Sequence, residues 1–378
     1  MTVEQDLIVV GCGGVGSAVL AHAARSGARV LGLERFEPVH DRGSSHGETR
    51  VIRLSYFEHP DYVPLLRRAY ELWAALERDT GRRLYLESGL LQVGPPDGVV
   101  LPGVLASARE HGLEVERLEE PAARSRFPQF RLPRGCEAVF ERMAGVLRVE
   151  DCVRAHLDLA REAGAELVAP ATVTAIRPED GRVRVETDGR VHTARRVVVT
   201  AGAWAAELLP GLPRLDVVRK SLFWFEGRGE AMRADAGAPA YFFETPDGMF
   251  YGFPALEGGE LKVAEHTGGR VVTDPLLVDR EVDDEEEQRA TAFLAEHLPD
   301  AAGRRTRHAV CLYTRTPDEH FLVDRLPDAP RVLLAAGLSG HGFKFASALG
   351  EWLADVALER SPNVDPAFLG LGRFASGA

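Results

Sequence analysis

The spacing of apolar positions changes period several times in the first eighty residues. Asp6-Leu7-Ile8-Val9-Val10 is a short continuous apolar run closed by glycine, the pattern of a parallel strand buried on both faces. Gly11-Cys12-Gly13-Gly14-Val15-Gly16 follows, then a small-residue helical stretch, Ser17 to Ser26, ended by Gly27. A second strand, Arg29-Val30-Leu31-Gly32-Leu33, runs into Glu34. Tyr62 to Arg78 puts Leu65, Leu66, Ala69, Leu72, Trp73 and Leu76 on one face of a helix. Short apolar or alternating runs begin near Leu84.

Val149 to Glu162 reads as a further helix, closed by Gly164. Strand-like runs follow at Glu166–Val168, Thr172–Ile176, Val183–Thr187, Arg190–Thr193 and Arg196–Thr200, with turn residues at Glu179-Asp180-Gly181 and Asp188-Gly189. From about Leu215 to Val272 the chain is rich in aromatic and β-forming residues, which predicts an antiparallel sheet. Acids favour a helix N-terminus, so the run Asp283 to Glu287 reads as the solvated start of a helix ending near His297, not as a metal site. Val332–Ala335 is the last core strand and Phe345–Leu358 the last helix.

Dinucleotide-type elements thus occur early, in the middle and late, with the aromatic sheet between them. This order predicts an α/β (α+β two-domain) fold, a Rossmann-type domain interleaved with an antiparallel-sheet domain. The expected boundaries are 1–84, 147–215 and 320–378 for the first, and 85–146 and 216–319 for the second, which would hold the substrate.

Composition narrows the function. The 378 residues suit two domains at roughly 100–200 residues each. Hydrophobic residues at 45% and charged residues at 27% exclude a disordered or fibrous chain. A net charge of −12 repels phosphate backbones, so no nucleic-acid partner is expected. No apolar run approaches the ~18 residues of a membrane span. The segment Met1-Thr2-Val3-Glu4-Gln5-Asp6 lacks the basic start of a signal peptide. Cys12, Cys136, Cys152 and Cys311 are widely spaced without a CxxC, as in reduced cytosolic proteins. A cytoplasmic location and no metal are the expectation.

Only three of the 45 basic residues are lysines: Lys220, Lys262 and Lys344. A bias toward arginine accounts for the rest. Arginine does not replace lysine where a compact point charge or a proton-labile amine is needed, so the three retained lysines are worth locating.

Gly11-x-Gly13-x-x-Gly16 lies between strand and helix, and Glu34 stands 23 residues after Gly11 at the end of the next strand. That is the setting of a dinucleotide-binding fingerprint, with the helix N-terminus toward a pyrophosphate and the acid toward a ribose. The motif does not separate NAD from FAD.

Three further segments are more specific. Gly43-Ser44-Ser45-His46-Gly47-Glu48-Thr49-Arg50-Val51-Ile52-Arg53 is polar, basic and glycine-rich. Cys311-Leu312-Tyr313-Thr314-Arg315-Thr316-Pro317-Asp318-Glu319 and Ser339-Gly340-His341-Gly342-Phe343-Lys344 come late. Together with the interleaved order, they make the chain resemble, over essentially its whole length, the monomeric sarcosine oxidase family. That family includes N-methyltryptophan oxidase and sits among the D-amino-acid-oxidase-like flavoproteins.

The resemblance implies FAD, carried by Cys311 through a thioether to the flavin 8α-methyl carbon. It implies Lys262 as the oxygen-activating group, and Arg53 and Lys344 as the pair that holds a substrate carboxylate. Arg50 and His46 would stand beside the flavin, and Tyr251, His266 and Tyr313 would line the pocket. The turn Thr200-Ala201-Gly202-Ala203-Trp204 would touch the flavin through Gly202 and Trp204, and Val173 the adenine. Arg35, Ser44, Gly340, Gly342 and Phe343, with Lys344 again, complete the implied cofactor contacts. The implied reaction is oxidation of a secondary amino acid, N-methyl or cyclic, such as sarcosine, to an imine, with oxygen reduced to hydrogen peroxide by a monomeric enzyme.

Other readings stay open on the residues alone. Cys311 has the character of a buried core thiol. A dehydrogenase of the same fold would pass electrons to a quinone or protein, against which Lys262 argues. A non-catalytic flavin-binding subunit would not need both Arg53 and Lys344. An NAD-dependent dehydrogenase leaves Cys311 and Ser44–Arg53 unexplained. Leu54, Ser55, Tyr56 and Phe57 are expected to shape the pocket, and Leu54 and Phe57 replace more polar family residues, against a preference for small substrates. Lys220 has no visible role and is expected at the surface or a strand edge. His320 and His341 are expected to be structural or surface residues.

Overall fold

The computed structural model describes residues 4–257, 259–299 and 302–377, so Met1, Thr2 and Val3 of the acidic N-terminal segment lie outside the described residues. Among the described residues the strands form sheets of eight, nine and three. In the first, Glu166–Val168, Val30–Leu33, Gln5–Val10, Val191–Val199 and Ala329–Ala336 lie side by side and parallel. An antiparallel meander, Val173–Glu179 and Arg182–Thr187, runs off Val191–Val199. Leu322–Leu326 pairs antiparallel with Ala329–Ala336.

Both faces of the first strand are covered, as its unbroken apolar run requires. Leu7 and Val9 pack with Val19 and Leu20 of helix Gly14–Arg25, with Leu65, Leu66 and Trp73 of helix Tyr62–Thr80, and with Leu349 and Leu353 of helix Ala346–Ala357. Ile8 and Val10 pack on the other face with Val173, Val183, Val185 and Val197. Helix Val149–Glu162 has the bounds its sequence predicts.

Two expectations shift. The first helix begins at Gly14, inside the glycine turn, so the turn itself supplies the helix N-terminus. Arg190–Thr193 and Arg196–Thr200, read as two strands, form one strand of nine residues, Val191–Val199. Arg195 is exposed where it interrupts the apolar run, so its charge costs the strand little.

The second sheet uses period 2 to separate a core face from a cleft face. Phe223, Phe225, Tyr241, Phe243, Phe250, Leu261 and Val263 pack against Phe293 and Leu294 of helix Asp284–His297. The alternate positions Leu222, Trp224, Phe242, Tyr251, Ala264 and Cys311 form a separate cluster on the opposite face. Lys262 lies between Leu261 and Val263 and stands with Trp224 and Phe253, its ammonium 5.3 and 5.1 Å from their ring centres. Asp283 caps the helix as the acidic run predicts, accepting from the N–H groups of Glu285 and Glu286 at 3.1 Å.

The spine of this sheet is Asp216–Gly227, paired along its length with Ala302–Arg315, Lys220 opposite Cys311. Lys220 is therefore no surface residue. It is 4% exposed, and its ammonium donates to the Thr267 carbonyl at 2.5 Å and lies 5.6 Å from the Tyr313 ring centre. The third sheet joins Thr49–Ile52, Tyr85–Leu86 and Gly145–Arg148, so its strands come from both sides of the boundaries expected near residues 84 and 146.

Candidate active site

A cleft runs from the carboxyl ends of the parallel strands to the aromatic face of the second sheet. It encloses about 1860 Å³ of empty space, counting its open mouth. Its lining runs from Gly11 and Glu34 at one end to Tyr251 and His266 at the other, so the cleft suits an extended ligand.

At the parallel-strand end, Gly11, Cys12, Gly13, Gly14 and Val15 form the rim. The N-cap residue of helix Gly14–Arg25 is Gly13, which brings no capping side chain, and the first turn holds no acid; the Ser45 hydroxyl accepts from the Gly14 N–H at 3.0 Å, and no carboxylate of that turn competes with an anion for the positive end. Gly16 does not line the cleft. It lets helix and strand meet, since a Cβ there would lie 1.9 Å from the Gly11 carbonyl oxygen. Glu34 closes the next strand, and its carboxylate accepts from the Cys12 N–H at 2.7 Å and the Phe36 N–H at 3.1 Å, with His40 Nε2 at 3.3 Å. Arg35, Val173 and the turn Thr200–Trp204 line the same stretch.

The chemistry of these walls fits a bound dinucleotide. Arg35 Nη1, Trp204 Nε1 and Thr314 Oγ1 are buried polar atoms without a hydrogen-bond partner among the described residues, and all three residues face the cleft. Buried polar groups are ordinarily satisfied. A ligand with ribose, phosphate and ring acceptors would satisfy them.

In the middle of the cleft lie Ser44, Arg50 and Cys311. The Arg50 guanidinium donates to the Ser44 carbonyl at 2.9 Å and reaches Cys311 Sγ at 3.3 Å. Gly340, Gly342 and Phe343 close the side opposite, where the chain enters the last helix.

At the far end the cleft is aromatic and cationic. Tyr251, Phe242, His266 and Tyr313 make one wall, with Tyr313 Oη 3.5 Å from His266 Nδ1. Burial pushes His266 down to about 3, so its imidazole is neutral at neutral pH, and burial raises the Tyr251 and Tyr313 phenols. Arg53 and Lys344 face the cleft, 4% and 6% exposed. Both lie against the Tyr56 ring, whose centre is 4.4 Å from the Arg53 guanidinium carbon and 5.2 Å from Lys344 Nζ, and its hydroxyl meets His341 Nδ1 at 2.5 Å. Lys344 donates to the His341 carbonyl at 2.7 Å. Burial, then the neighbouring Arg53, lowers Lys344 to about 7. His341 is buried and lines the cleft, whereas His320 is half-buried outside it.

All the expected site residues line this cleft except Gly16, His46 and Lys262. Lys262 lies behind the backbone of residues 47–49, 2% exposed, and donates to the carbonyls of Gly47 at 2.6 Å and Thr49 at 3.1 Å. His46 is buried, with Nε2 unpartnered among the described residues, and burial followed by Arg50 pushes it to about 3. Leu54, Ser55, Tyr56 and Phe57, expected to shape the pocket, do not line it. Phe57 acts through Phe242, 5.3 Å away ring to ring, and Tyr56 through the two cations. The residue that does line it is Glu58, which no sequence pattern announces.

Fold and cleft together define a dinucleotide-binding oxidoreductase with a cationic, aromatic substrate chamber. The model of the family "FAD dependent oxidoreductase" matches residues 6–356. Monomeric sarcosine oxidase of Streptomyces avermitilis is 44% identical over 365 residues, covering 95% of this chain and 94% of that protein. N-methyl-L-tryptophan oxidase of Salmonella arizonae is 39% identical over 385 residues, covering 98% of this chain and all of that one. Among solved structures, NikD, an unusual amino acid oxidase essential for nikkomycin biosynthesis, is similar with a TM-score of 0.86 at 28% identity, over 98% of both chains. The chain belongs to the FAD-dependent oxidoreductase family, and FAD is its cofactor.

Proposed function

We propose that this enzyme oxidises the CH–NH bond of a secondary amino acid, N-methyl or cyclic, to the imine, and reduces oxygen to hydrogen peroxide. The relatives named for sarcosine and N-methyl-L-tryptophan share an N-methylated amine beside a carboxylate and differ in side chain. The observation that carries the reading to this chain is the placement of Arg53 and Lys344, two buried cations, beside an aromatic wall in one cleft. FAD, when bound, supplies acceptance of the two electrons from the amine and their delivery to oxygen.

The chain's own residues do the rest. Arg53 and Lys344 hold the carboxylate through charge-assisted contacts. Tyr251, Phe242, His266 and Tyr313 exclude water and set the amine's orientation. Neutral His266 and un-ionised phenols leave the carboxylate no competing charge on that wall. Lys262 presents an ammonium to negative charge developing on oxygen, a task for a compact fixed cation. Cys311 would carry the cofactor covalently, with Arg50, 3.3 Å from its sulfur, holding it in place. Gly11, Gly13, Glu34, Arg35, Ser44, Val173, Gly202, Trp204, Gly340, Gly342 and Phe343 would contact the cofactor, and His46 backs Arg50. In this reading segments 1–84, 147–215 and 320–378 carry FAD, and 85–146 and 216–319 carry the substrate wall. The enzyme works as a cytoplasmic monomer.

The test is a peroxide assay of purified protein across sarcosine, N-methyltryptophan, pipecolate, proline and an N-methyl alkylamine without a carboxylate. Peroxide from the carboxylated amines and none from the alkylamine is the expected result. Dye reduction without peroxide would replace the oxidase reading with a dehydrogenase. Equal turnover of the alkylamine would remove the carboxylate clamp.

A further inference from the structure

We propose that Glu150 is the positioning residue of Lys262, its carboxylate holding the turn whose carbonyl groups grip the ammonium. The proposal rests on the reading of Lys262 as the cation that meets oxygen.

Glu150 stands in the first turn of helix Val149–Glu162. An acid there would ordinarily serve its own helix. Its carboxylate instead accepts from backbone a hundred residues upstream: the Gly47 N–H at 2.7 Å and the Glu48 N–H at 3.0 and 3.2 Å. Both residues of that turn are left-handed, Gly47 at φ +85° and Glu48 at φ +68°. A non-glycine residue holds that conformation only where its surroundings impose it. With the N–H groups drawn to Glu150, the Gly47 carbonyl points the other way and receives Lys262 Nζ at 2.6 Å. Thr49 completes the grip with its carbonyl at 3.1 Å and hydroxyl at 3.3 Å. Every hydrogen bond found for the ammonium therefore comes from the short segment Glu150 pins.

The segment has no slack on its other side. A Cβ on Gly47 would lie 2.6 Å from Leu222 Cδ1. The Glu48 side chain runs outward to Trp224 Nε1 at 3.0 Å and Arg307 Nη1 at 2.7 Å, which ties the turn to the sheet that carries Lys262.

Charge acts in the same direction. Burial lowers Lys262 well below the usual lysine range and Arg50 lowers it further. Glu150 and Glu48 oppose that fall, and His46, on the same loop, is held neutral by its own burial. A lysine is charged below its pKa, so removing the Glu150 carboxylate moves loss of the ammonium to lower pH.

The three-lysine composition makes the test direct. In holoenzyme labelled with ¹⁵N at the lysine side chains, the signals number three and are assigned by Lys→Met replacement. Glu150→Ala is expected to lower the titration midpoint of the Lys262 signal by at least one pH unit. It should slow reoxidation of reduced flavin by oxygen at least tenfold while reduction by substrate stays within about twofold. Glu150→Gln keeps an acceptor oxygen and loses the charge. It should recover most of the reoxidation rate at low pH yet keep the lowered midpoint. In a Lys262→Met background, Glu150→Ala should slow reoxidation no further. An unmoved Lys262 signal in either Glu150 variant overturns the proposal, as does equal slowing with and without Lys262. If Glu150→Ala does not fold, Glu150→Gln carries the same titration. A shifted Lys262 signal together with normal reoxidation in Lys262→Met supports the positioning and rejects the oxygen role, so the two readings fail separately.

Discussion

Arg53 donates through Nη2 to both carboxylate oxygens of Glu58, at 2.8 Å each. The guanidinium assigned to the substrate carboxylate thus already holds a carboxylate of the chain's own, and Glu58 lines the cleft. A substrate anion must displace or share that partner. Glu58→Gln is expected to tighten binding of a non-oxidisable carboxylate analogue about tenfold, since a charge-assisted contact is worth on the order of 1.5–3 kcal/mol. Titration followed by the flavin absorbance measures it. Weaker binding in Glu58→Gln would mean that Glu58 holds Arg53 in its working position instead of competing for it.

Lys344 gives the clamp a pH limit. With its pKa lowered to about 7, the ammonium is present below neutrality and lost above it in the free enzyme. Carboxylate binding favours the charged form, so the apparent dissociation constant of the analogue should rise toward tenfold per pH unit above about 7, with proton uptake on binding. Isothermal titration in buffers of different ionisation enthalpy reads that uptake. Lys344→Met should remove it and weaken binding at pH 6 at least tenfold.

The sulfur of Cys311 decides whether the cofactor is fixed. The yellow colour should stay with the protein after acid precipitation, and Cys311→Ser should release it into the supernatant while still binding FAD. Quantitative release from the parent protein would reject the thioether and leave FAD binding intact.

Lys262→Met should slow flavin reoxidation by oxygen about 10²-fold, near 2.7 kcal/mol, the scale of one preorganised charge-stabilising group. Anaerobic reduction by substrate should change far less. Stopped-flow measurement of the two half-reactions separates them, and collapse of the reductive half alone would move Lys262 to substrate binding.

The glycine turn was legible as a motif and the helix Val149–Glu162 as a period, and the alternation that takes Lys262 off the core face is equally local. Leu261-Lys262-Val263 shows a lysine between two core residues, and a period of two sends it to the opposite face. Lys220 was not legible for the same reason. Its neighbours Arg219 and Ser221 are polar too, so alternation is silent, and it takes the pairing with Ala302–Arg315 and partners such as Glu286, 2.6 Å from Arg219, to show that the whole stretch is interior. Glu58 and Glu150 escaped because their meaning lies in partners. One faces an arginine five residues back and the other a turn a hundred residues away, and neither spacing is a pattern of helix or strand.

The chain keeps every one of its lysines inside, with Lys220, Lys262 and Lys344 at 4%, 2% and 6% exposure. A protease that cuts only after lysine consequently finds no accessible site on the folded enzyme. Its rate becomes a gauge of how often the structure opens. The cuts also name the place: after Lys220 or Lys262 for parting of the aromatic sheet, after Lys344 for release of the last helix. An arginine-rich surface hides from that enzyme the few bonds it could sever, and so turns a bias of composition into a built-in probe of the core.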